Sequence, residues 1–213
     1  MWGYFKGMVN TVLGYLGLYN KKANIVFLGL DNAGKTALLH VLKNDRVTQT
    51  RPTIHPHSEE LKMGNLKLNT YDLGGHETAR KIWKDYFPAV HAILFLVDSV
   101  DVNRFPEAKE ELEKILATPE LVNIPIAILG NKIDMAGSVS VEELKEALHY
   151  DEILAKETRP MEIFMVSVTK KIGYSKALEW ISTHLPDDQS ILEIFLMKKI
   201  DTYCIIKKIY RFI

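Results

Sequence analysis

Short apolar runs alternate with amphipathic runs along most of the chain, between residues 25 and 185. Runs rich in β-branched and aromatic residues predict strands, whereas apolar residues spaced three and four apart predict helices. The predicted strands are Ile25–Leu28, Glu59–Met63, Leu66–Tyr71, Ala92–Val97, Ile126–Leu129 and Glu162–Val166. The predicted helices are Lys35–Lys43, Thr78–Phe87, Pro106–Leu116, Val141–Leu148 and Ser175–His184.

The order of these elements predicts an α/β fold. Gly64-Asn65, between the second and third predicted strands, favours a hairpin. The other strands are mostly unbroken apolar runs separated by helices, which is typical of a parallel sheet covered on both faces. We therefore expect a mostly parallel six-stranded sheet with helices on both faces. No Pro-, Gly- or Ser-rich linker interrupts residues 20–185, so we predict one domain there, flanked by segments 1–19 and 186–213.

Composition narrows the class of protein. The 213 residues are 47% apolar, enough for one substantial core. The formal net charge is zero, which argues against a broad nucleic-acid-binding surface, and we expect no nucleic-acid partner. Cys204 is the only cysteine, so an internal disulfide is excluded and a reducing, intracellular setting is favoured. No uncharged apolar run reaches about 18 residues, so we expect no membrane-spanning helix.

A phosphate-binding loop is predicted between the first strand and the first helix, where Gly29 to Thr36 read G-x-x-x-x-G-K-T. Small residues let backbone N–H groups approach phosphate oxygens, and the helix directs its positive end at the same anion. Lys35 can reach the β- and γ-phosphates, and the Thr36 hydroxyl can ligate Mg²⁺. The alternative is a chance match in a glycine-containing turn. The predicted nucleotide-binding residues here are Asp31, Asn32, Ala33, Gly34, Lys35, Thr36 and Ala37.

Further polar signals follow other predicted strands, at the sheet edge where nucleotides bind in such folds. Asp72 can hold Mg²⁺ through water, and the Gly75 N–H can reach a γ-phosphate. Thr53, in the X-Pro loop before the hairpin, can complete the Mg²⁺ shell. Asp98 ends the fourth strand, and we expect it to cap the following turn.

Asn131-Lys132-Ile133-Asp134, after the fifth strand, favours guanine recognition. The Asp134 carboxylate, expected to be buried, can accept two hydrogen bonds from guanine N1–H and N2–H₂, and adenine lacks that exocyclic amine. The Lys132 stem can lie over the base, and Asn131 can tie this loop to the phosphate loop. Taken alone, the tetrapeptide is also typical of a solvated turn. Backbone N–H groups after the sixth strand are predicted to close the other side of the base, at Ser167, Val168 and Thr169.

These motifs, in this order, resemble those of small GTPases over about residues 24–185, and most closely the Arf/Sar branch. Three features are similar to the Sar type. His76 stands where most small GTPases have a water-positioning glutamine. Pro52–Pro56 followed by Ser58–Leu61 resembles the Sar switch region. Trp2 replaces the glycine that Arf proteins use for myristoylation. The resemblance implies a P-loop NTPase fold that binds GTP or GDP with Mg²⁺.

The resemblance also implies partners and a location. Sar-type GTPases initiate COPII coat assembly for transport from the endoplasmic reticulum to the Golgi, on the cytoplasmic face of the membrane. The implied partners are the COPII inner coat with its GTPase-activating subunit, a membrane-bound exchange factor and the membrane surface. We expect hydrolysis of GTP to GDP and phosphate to be slow without a partner, with His76 as the catalytic residue that positions the attacking water. Arg80 and Arg104 are expected on helix surfaces, so a partner would supply an arginine.

Residues 1–19 predict an amphipathic helix lying in a membrane surface, because Lys6 is the only charged side chain and Trp and Tyr suit the headgroup boundary. Asn10-Thr11 interrupts the apolar stretch that a signal peptide requires. A helix folded back on the domain remains an alternative, and the resemblance implies that GTP releases such a helix. The predicted membrane face consists of Trp2, Phe5, Val9, Val12, Leu13 and Leu16.

Segment 186–213 has no counterpart in the resemblance. A basic amphipathic helix, a docked or disordered tail and a mistaken reading frame all fit it, and we assign it no function. Two other functions stay open for the whole chain. One is a GTP-binding scaffold without turnover, and the other is an Arf-like regulator of a different membrane traffic step.

Overall fold

A six-stranded sheet organises the chain in a computed structural model, which describes residues 22–44, 57–63, 66–73, 75 and 77–185. The strand order is β2-β3-β1-β4-β5-β6. The pair β2–β3 is antiparallel and the other neighbours are parallel, which confirms the predicted mostly parallel sheet. The strands are β1 (Lys22–Leu28), β2 (His57–Met63), β3 (Leu66–Asp72), β4 (Ala92–Asp98), β5 (Ile126–Asn131) and β6 (Met161–Val166).

Helices connect the parallel strands across both faces of the sheet. Short 3₁₀ turns lie at Trp83–Asp85, Phe87–Ala89, Val102–Arg104 and Pro119–Leu121. Among the residues that the structure describes, no helix is long and apolar enough to cross a membrane. The α-helices are α1 (Lys35–Asn44), α2 (Glu77–Arg80), α3 (Phe105–Leu116), α4 (Val141–Ala147), α5 (Tyr150–Leu154) and α6 (Tyr174–His184).

The core lies in two layers, one on each face of the sheet. Along β1, Ile25 and Phe27 pack with residues of α1 and α6, while Val26 and Leu28 pack with residues of α3 on the opposite face. All four side chains are at most 1% exposed. Because successive side chains of a strand point to opposite faces, burial on both faces requires the unbroken apolar run seen in the sequence.

The helix predicted over Thr78–Phe87 is wrong as a single element. The α-helix ends at Arg80, and two 3₁₀ turns follow. Bonds of the i→i−3 type, such as those from the Asp85 N–H to Ile82 and from the Val90 N–H to Phe87, replace the α-helical ladder here. This tighter path still places the Trp83 and Phe87 side chains in the core.

The short helix α5 escaped prediction. His149, between α4 and α5, adopts a left-handed conformation with φ +53°. That conformation is uncommon for a residue other than glycine, and it ends α4 and redirects the chain. Tyr150 and Ile153 of α5 are buried against the same core layer as Leu144 of α4.

Candidate functional site

The loops that carry the predicted chemistry meet at one edge of the sheet. Strands β1, β3, β4, β5 and β6 are parallel, so their carboxyl ends lie along that edge. Registered pairs include Phe27 with Asp72, Asp98 with Asn131, and Asn131 with Val166. Residues distant in sequence are thereby brought to one side of the molecule, as the order of elements predicted.

The phosphate loop runs from the end of β1 into α1. Asn32 (φ +62°) and Gly34 (φ +100°) take left-handed conformations, so the loop backbone turns sharply before α1 begins at Lys35. A Cβ atom on Gly34 would lie 2.3 Å from Nδ2 of Asn131, so only glycine fits there. The Thr36 and Ala37 amides belong to the first turn of α1, where N–H groups have no partner within the helix. This geometry suits an anion.

Lys35 lies at the centre of this loop and is 5% exposed. Its ammonium donates to the carbonyl oxygens of Gly29 at 2.8 Å and Leu30 at 2.7 Å. Because burial of an unpaired charge is costly, these bonds hold the cation within the loop until an anion binds. Lys35 therefore lies in the place that a phosphate-binding lysine requires.

Gly75 packs directly on the phosphate loop. A Cβ atom at this position would lie 2.2 Å from the Asp31 backbone nitrogen and 2.5 Å from Nζ of Lys35. The loop after β3 thus approaches the phosphate loop as closely as backbone atoms allow. The hydrogen bond predicted from the Gly75 N–H to a γ-phosphate stays a prediction.

Asn131 joins three loops and is 2% exposed. Its Nδ2 donates to the Ala33 carbonyl oxygen at 2.9 Å, which confirms the predicted tie to the phosphate loop. Its Oδ1 accepts from the Val168 backbone N–H at 3.1 Å. The Val168 amide, predicted as a donor to the base, is therefore engaged by Asn131 in this structure. One buried amide side chain fixes the phosphate loop relative to both base-side loops.

The Asp134 carboxylate is held by two hydroxyl groups. The Ser167 hydroxyl donates to Oδ1 at 2.6 Å, and the Thr169 hydroxyl donates to Oδ2 at 3.0 Å. The hydrogen bond from Ser167 is the main reason why the pKa of Asp134 lies below its ordinary value. Desolvation opposes this effect, and the hydrogen bond from Thr169 adds to it. Reciprocal backbone bonds between Ser167 and Ile172 close the turn that presents both hydroxyls. Asp134 is therefore an oriented anion at neutral pH, and it is exposed, so the prediction of a buried carboxylate is wrong.

Lys132 and Asp98 form an ion pair between the ends of β5 and β4, with 2.5 Å between Nζ and Oδ2. Asp98 Oδ1 also accepts from the Val100 backbone N–H at 3.1 Å, which confirms its predicted capping role. Lys132 itself has a positive φ of +75°. The ion pair was not predicted, although the neighbouring strand ends offer a signal for it.

Both arginines expected on helix surfaces pair with carboxylates, and the prediction is wrong for Arg80, whose side chain is 10% exposed, whereas Arg104 is 30% exposed. Arg104 lies at the end of a 3₁₀ turn and pairs with Asp31 of the phosphate loop, 2.7 Å from its Oδ1. Arg80 pairs with Glu107 and Glu111 of α3, the latter at 2.8 Å. Sequence spacing holds no signal for either contact, because the partners come from separate elements.

Several predicted residues lie outside the described part of the chain. They are the water-positioning candidate His76, the Mg²⁺ candidate Thr53, the predicted membrane-face residues of segment 1–19 and the whole of segment 186–213. Asp72 is described only through its backbone, at the end of β3. These predictions stay predictions.

The donor set fits a nucleoside phosphate. A buried ammonium, the amides at the start of α1 and two close-packed glycines line one end, and an oriented carboxylate stands at the other. Thr36 and the end of β3 supply the oxygen-bearing residue types that Mg²⁺ prefers. The structure is thus compatible with a magnesium-bound guanine nucleotide.

Comparisons with known proteins agree with this geometry. The model of the ADP-ribosylation factor family, Arf, matches residues 9–185. The small COPII coat GTPase SAR1 of Giardia intestinalis is 42% identical over 85% of this chain and 99% of its own length. SAR1 of Nicotiana tabacum is 39% identical over 82% of this chain and 95% of its own length. ADP-ribosylation factor 3 of Arabidopsis thaliana is 38% identical over 85% of this chain and 95% of its own length.

A solved structure has the same fold. The Arl6 BBS3 small GTPase from Trypanosoma brucei, with bound nucleotide analogue GppNp, aligns with a TM-score of 0.71 at 26% identity, covering 78% of this chain and all of that one. The family match extends well beyond half of the chain, and the relatives are similar over nearly their whole lengths. The chain therefore belongs to the Arf family of small GTPases, with Sar-type proteins among its relatives.

Proposed function

We propose that this chain is a GTP-dependent membrane switch that initiates COPII coat assembly on the cytoplasmic face of the endoplasmic reticulum, for transport to the Golgi. The observation that carries the proposal is the junction at Asn131, whose side chain binds both the phosphate loop and the loop after β6. Through it, a guanine site and a phosphate site become one rigid unit. The similarity to SAR1 proteins over nearly their full lengths supports the coat assignment.

Guanine is selected by Asp134. Its carboxylate, oriented by Ser167 and Thr169, accepts from N1–H and N2–H₂ of the base. An adenine offers no N2 amine, so the carboxylate would lose the donors that guanine supplies, and sites of this kind discriminate by about 10⁴-fold. Lys132, held by Asp98, places its aliphatic stem beside the base.

The phosphates are bound by the amides from Asp31 to Ala37 and by the Lys35 ammonium, which exchanges its carbonyl partners for phosphate oxygens. Thr36, Thr53 and Asp72 are the residues that would hold Mg²⁺. When bound, that ion neutralises charge on the phosphate oxygens. Gly75, where a Cβ atom would lie 2.5 Å from Nζ of Lys35, offers its N–H to the terminal phosphate and so senses GTP.

Hydrolysis needs a positioned water and a further positive charge. His76, which follows Gly75 directly, positions the water. The guanidinium groups of Arg80 and Arg104 are engaged by carboxylates, so we assign the additional arginine to a partner. His76→Gly is expected to leave GTP binding within about threefold and to lower partner-stimulated turnover by at least about 10²-fold. Single-turnover phosphate release with the COPII GTPase-activating subunit measures this, and unchanged turnover would remove His76 from the mechanism.

Membrane attachment is assigned to segment 1–19, with the apolar face that includes Trp2, Phe5 and Leu16. The expected partners are the COPII inner coat with its GTPase-activating subunit and a membrane-bound exchange factor. Deletion of residues 1–18 is expected to abolish liposome binding while nucleotide binding persists. Flotation of the truncated chain with liposomes would contradict the anchor.

Coat recruitment tests the proposal as a whole. The full chain is incubated with anionic liposomes, the purified COPII inner coat and either GDP or a non-hydrolysable GTP analogue. We expect the coat to float with the liposomes only in the presence of the analogue. A chain that binds the membrane with the analogue but leaves the COPII coat in solution would contradict the coat assignment.

Regulation of another membrane traffic step is the second candidate. Arf relatives are almost as similar as SAR1 relatives, as the 38% identity to ADP-ribosylation factor 3 indicates. This candidate predicts the same nucleotide-dependent flotation without recruitment of the COPII coat. The same assay therefore separates the two functions.

A further inference from the structure

Arg104 connects the phosphate loop to the rest of the domain through its guanidinium. One terminal nitrogen donates to Asp31 Oδ1 at 2.7 Å, and the other lies 3.4 Å from the Asp31 carbonyl oxygen. The Arg104 side chain is 30% exposed and the Asp31 side chain is 42% exposed. The contact joins residues 73 positions apart, from the loop after β1 to the turn after β4.

Asp31 is a negative charge within a loop that binds anions. The Arg104 hydrogen bond holds the pKa of Asp31 below its ordinary value, so the carboxylate is ionised at neutral pH. The same carboxylate interacts electrostatically with Lys35, the cation at the centre of the loop. Left uncompensated, it would repel phosphate and weaken the field of Lys35. Arg104 supplies the compensating charge.

Arg104 is also linked, through Glu107, to α2, the helix that follows Gly75 in the sequence. Arg104 Nε donates to Glu107 Oε2 at 2.9 Å, and Glu107 Oε1 pairs with Arg80 at the end of α2. Arg80 also pairs with Glu111 at 2.8 Å. Its buried Nε has no hydrogen-bond partner among the described residues. A continuous line of ion pairs thus runs from Asp31 through Arg104 and Glu107 to Arg80.

We propose that Arg104 is a positioning residue for nucleotide retention. It neutralises Asp31, so that the phosphate loop keeps its full attraction for phosphate. Through Glu107 and Arg80, it also couples the phosphate loop to α2, the element that follows the γ-phosphate-sensing loop. This inference rests on the proposed guanine-nucleotide binding and adds a residue that controls the rate of nucleotide release.

The test measures release of a fluorescent GDP analogue from the full chain in Mg²⁺ buffer. Arg104→Ala is expected to accelerate release about fivefold, the effect of losing a partly exposed ion pair beside a charged ligand. Asp31→Asn alone, which keeps the loop backbone and leaves the Arg104 charge uncompensated beside the phosphates, is expected to slow release by about twofold. The double variant Asp31→Asn/Arg104→Ala is expected to release nucleotide at nearly the rate of the unaltered chain, because removing both charges leaves the same local net charge as the intact pair.

The release rate of the double variant separates the effect of the Arg104 charge from the effect of its side-chain volume. If Arg104 acted only through its side-chain volume, the double variant would release nucleotide as fast as Arg104→Ala. Salt gives a second readout, because raising NaCl from about 0.05 to about 0.5 M screens the uncompensated carboxylate. The difference between Arg104→Ala and the unaltered chain should shrink accordingly. A salt-independent difference, or failure of the rescue, would overturn the electrostatic role.

The link to α2 is tested by Glu107→Gln, with Lys109→Ala as the control. Lys109 lies on the same helix and pairs with Glu113 instead. Glu107→Gln is expected to accelerate release about twofold to threefold, and Lys109→Ala is expected to have no effect. Equal rates for Glu107→Gln and the unaltered chain would overturn the coupling.

The unaltered chain separates this inference from the proposed function. Slow release from both the unaltered chain and Arg104→Ala, within twofold of each other, would overturn the inference and leave nucleotide binding intact. Failure of the unaltered chain to bind the GDP analogue would overturn the proposed function and the inference with it.

Discussion

The phosphate end and the base end of the site are built in different ways. At the phosphate end, Lys35 is buried and bonded to backbone carbonyl oxygens, and Gly34 and Gly75 allow close approach. At the base end, Asp134 is exposed and is oriented by the hydroxyls of Ser167 and Thr169. Backbone geometry therefore shapes the proposed phosphate end around one buried cation, and side-chain hydrogen bonds orient the carboxylate at the proposed base end. Substitutions at the two ends should have effects of different kinds.

The largest effect is expected at the phosphate end. Lys35→Ala removes the buried cation of the cradle and should weaken both GDP and GTP by at least about 10³-fold. Titration calorimetry measures the loss for each nucleotide. Lys43→Ala, an exposed position on the same helix, is the matched control and should bind as the unaltered chain does. If Lys35→Ala bound GDP and GTP within tenfold of the affinity of the unaltered chain, the assigned role of the ammonium would be contradicted.

The next effect tests selectivity at the base end. Asp134→Asn converts an acceptor into a group that also donates, so GDP affinity should fall about 10³-fold while xanthosine diphosphate binds better than GDP does. Competition binding with both nucleotides measures the exchange of preference. Asp151→Asn, exposed on α5, controls for the loss of one charge. An unchanged preference for guanine would show that Asp134 does not contact the base.

Asn131 connects the two ends, so its loss should affect the fold itself. Asn131→Ala leaves the Ala33 carbonyl and the Val168 N–H without their partner, and the free energy of unfolding should fall by about 2–3 kcal/mol. Urea denaturation of the nucleotide-free chain measures it. Asn123→Ala, at an exposed position, should change the value by less than about 0.5 kcal/mol. A similarly small change for Asn131→Ala would mean that the loops are held by other contacts.

The smallest effect is a titration shift. The hydroxyl bonds lower the pKa of Asp134, so its ionised form persists as pH falls through the ordinary aspartate range. Thr169→Val removes one donor and should move the pKa of Asp134 upward, with GDP affinity falling about twofold to threefold. NMR titration of the Asp134 carboxyl carbon measures the shift. Thr183→Val, whose hydroxyl bonds the Trp180 carbonyl, is the control. An unmoved pKa would contradict the role of Thr169.

Local pattern predicted the elements and the phosphate end well. Buried strands such as β4 need unbroken apolar runs, and the phosphate loop needs glycine and lysine at particular spacings. Both requirements act between near neighbours in the chain, so they are visible without a structure. The tie from Asn131 to the phosphate loop was also predicted, because the carboxyl ends of parallel strands meet at one edge of the sheet.

What escaped prediction depends on contacts between distant elements or on unusual backbone. The pair Arg104–Asp31 joins residues with no common spacing, and Arg104 itself is indistinguishable in sequence from a surface arginine. The left-handed conformation of His149 has no glycine to signal it, so α5 was missed. The helix at Thr78–Phe87 failed because its apolar spacing is equally satisfied by successive 3₁₀ turns that bury Trp83 and Phe87.

Nucleotide selectivity of the full chain is the most direct test of the central claim. Titration calorimetry with GDP and with ADP, each in Mg²⁺ buffer, measures whether an oriented carboxylate and a phosphate loop act as one site. We predict one GDP bound per chain, with ADP weaker by at least about 10³-fold. No uptake of GDP, or equal affinity for the two nucleotides, would contradict the account.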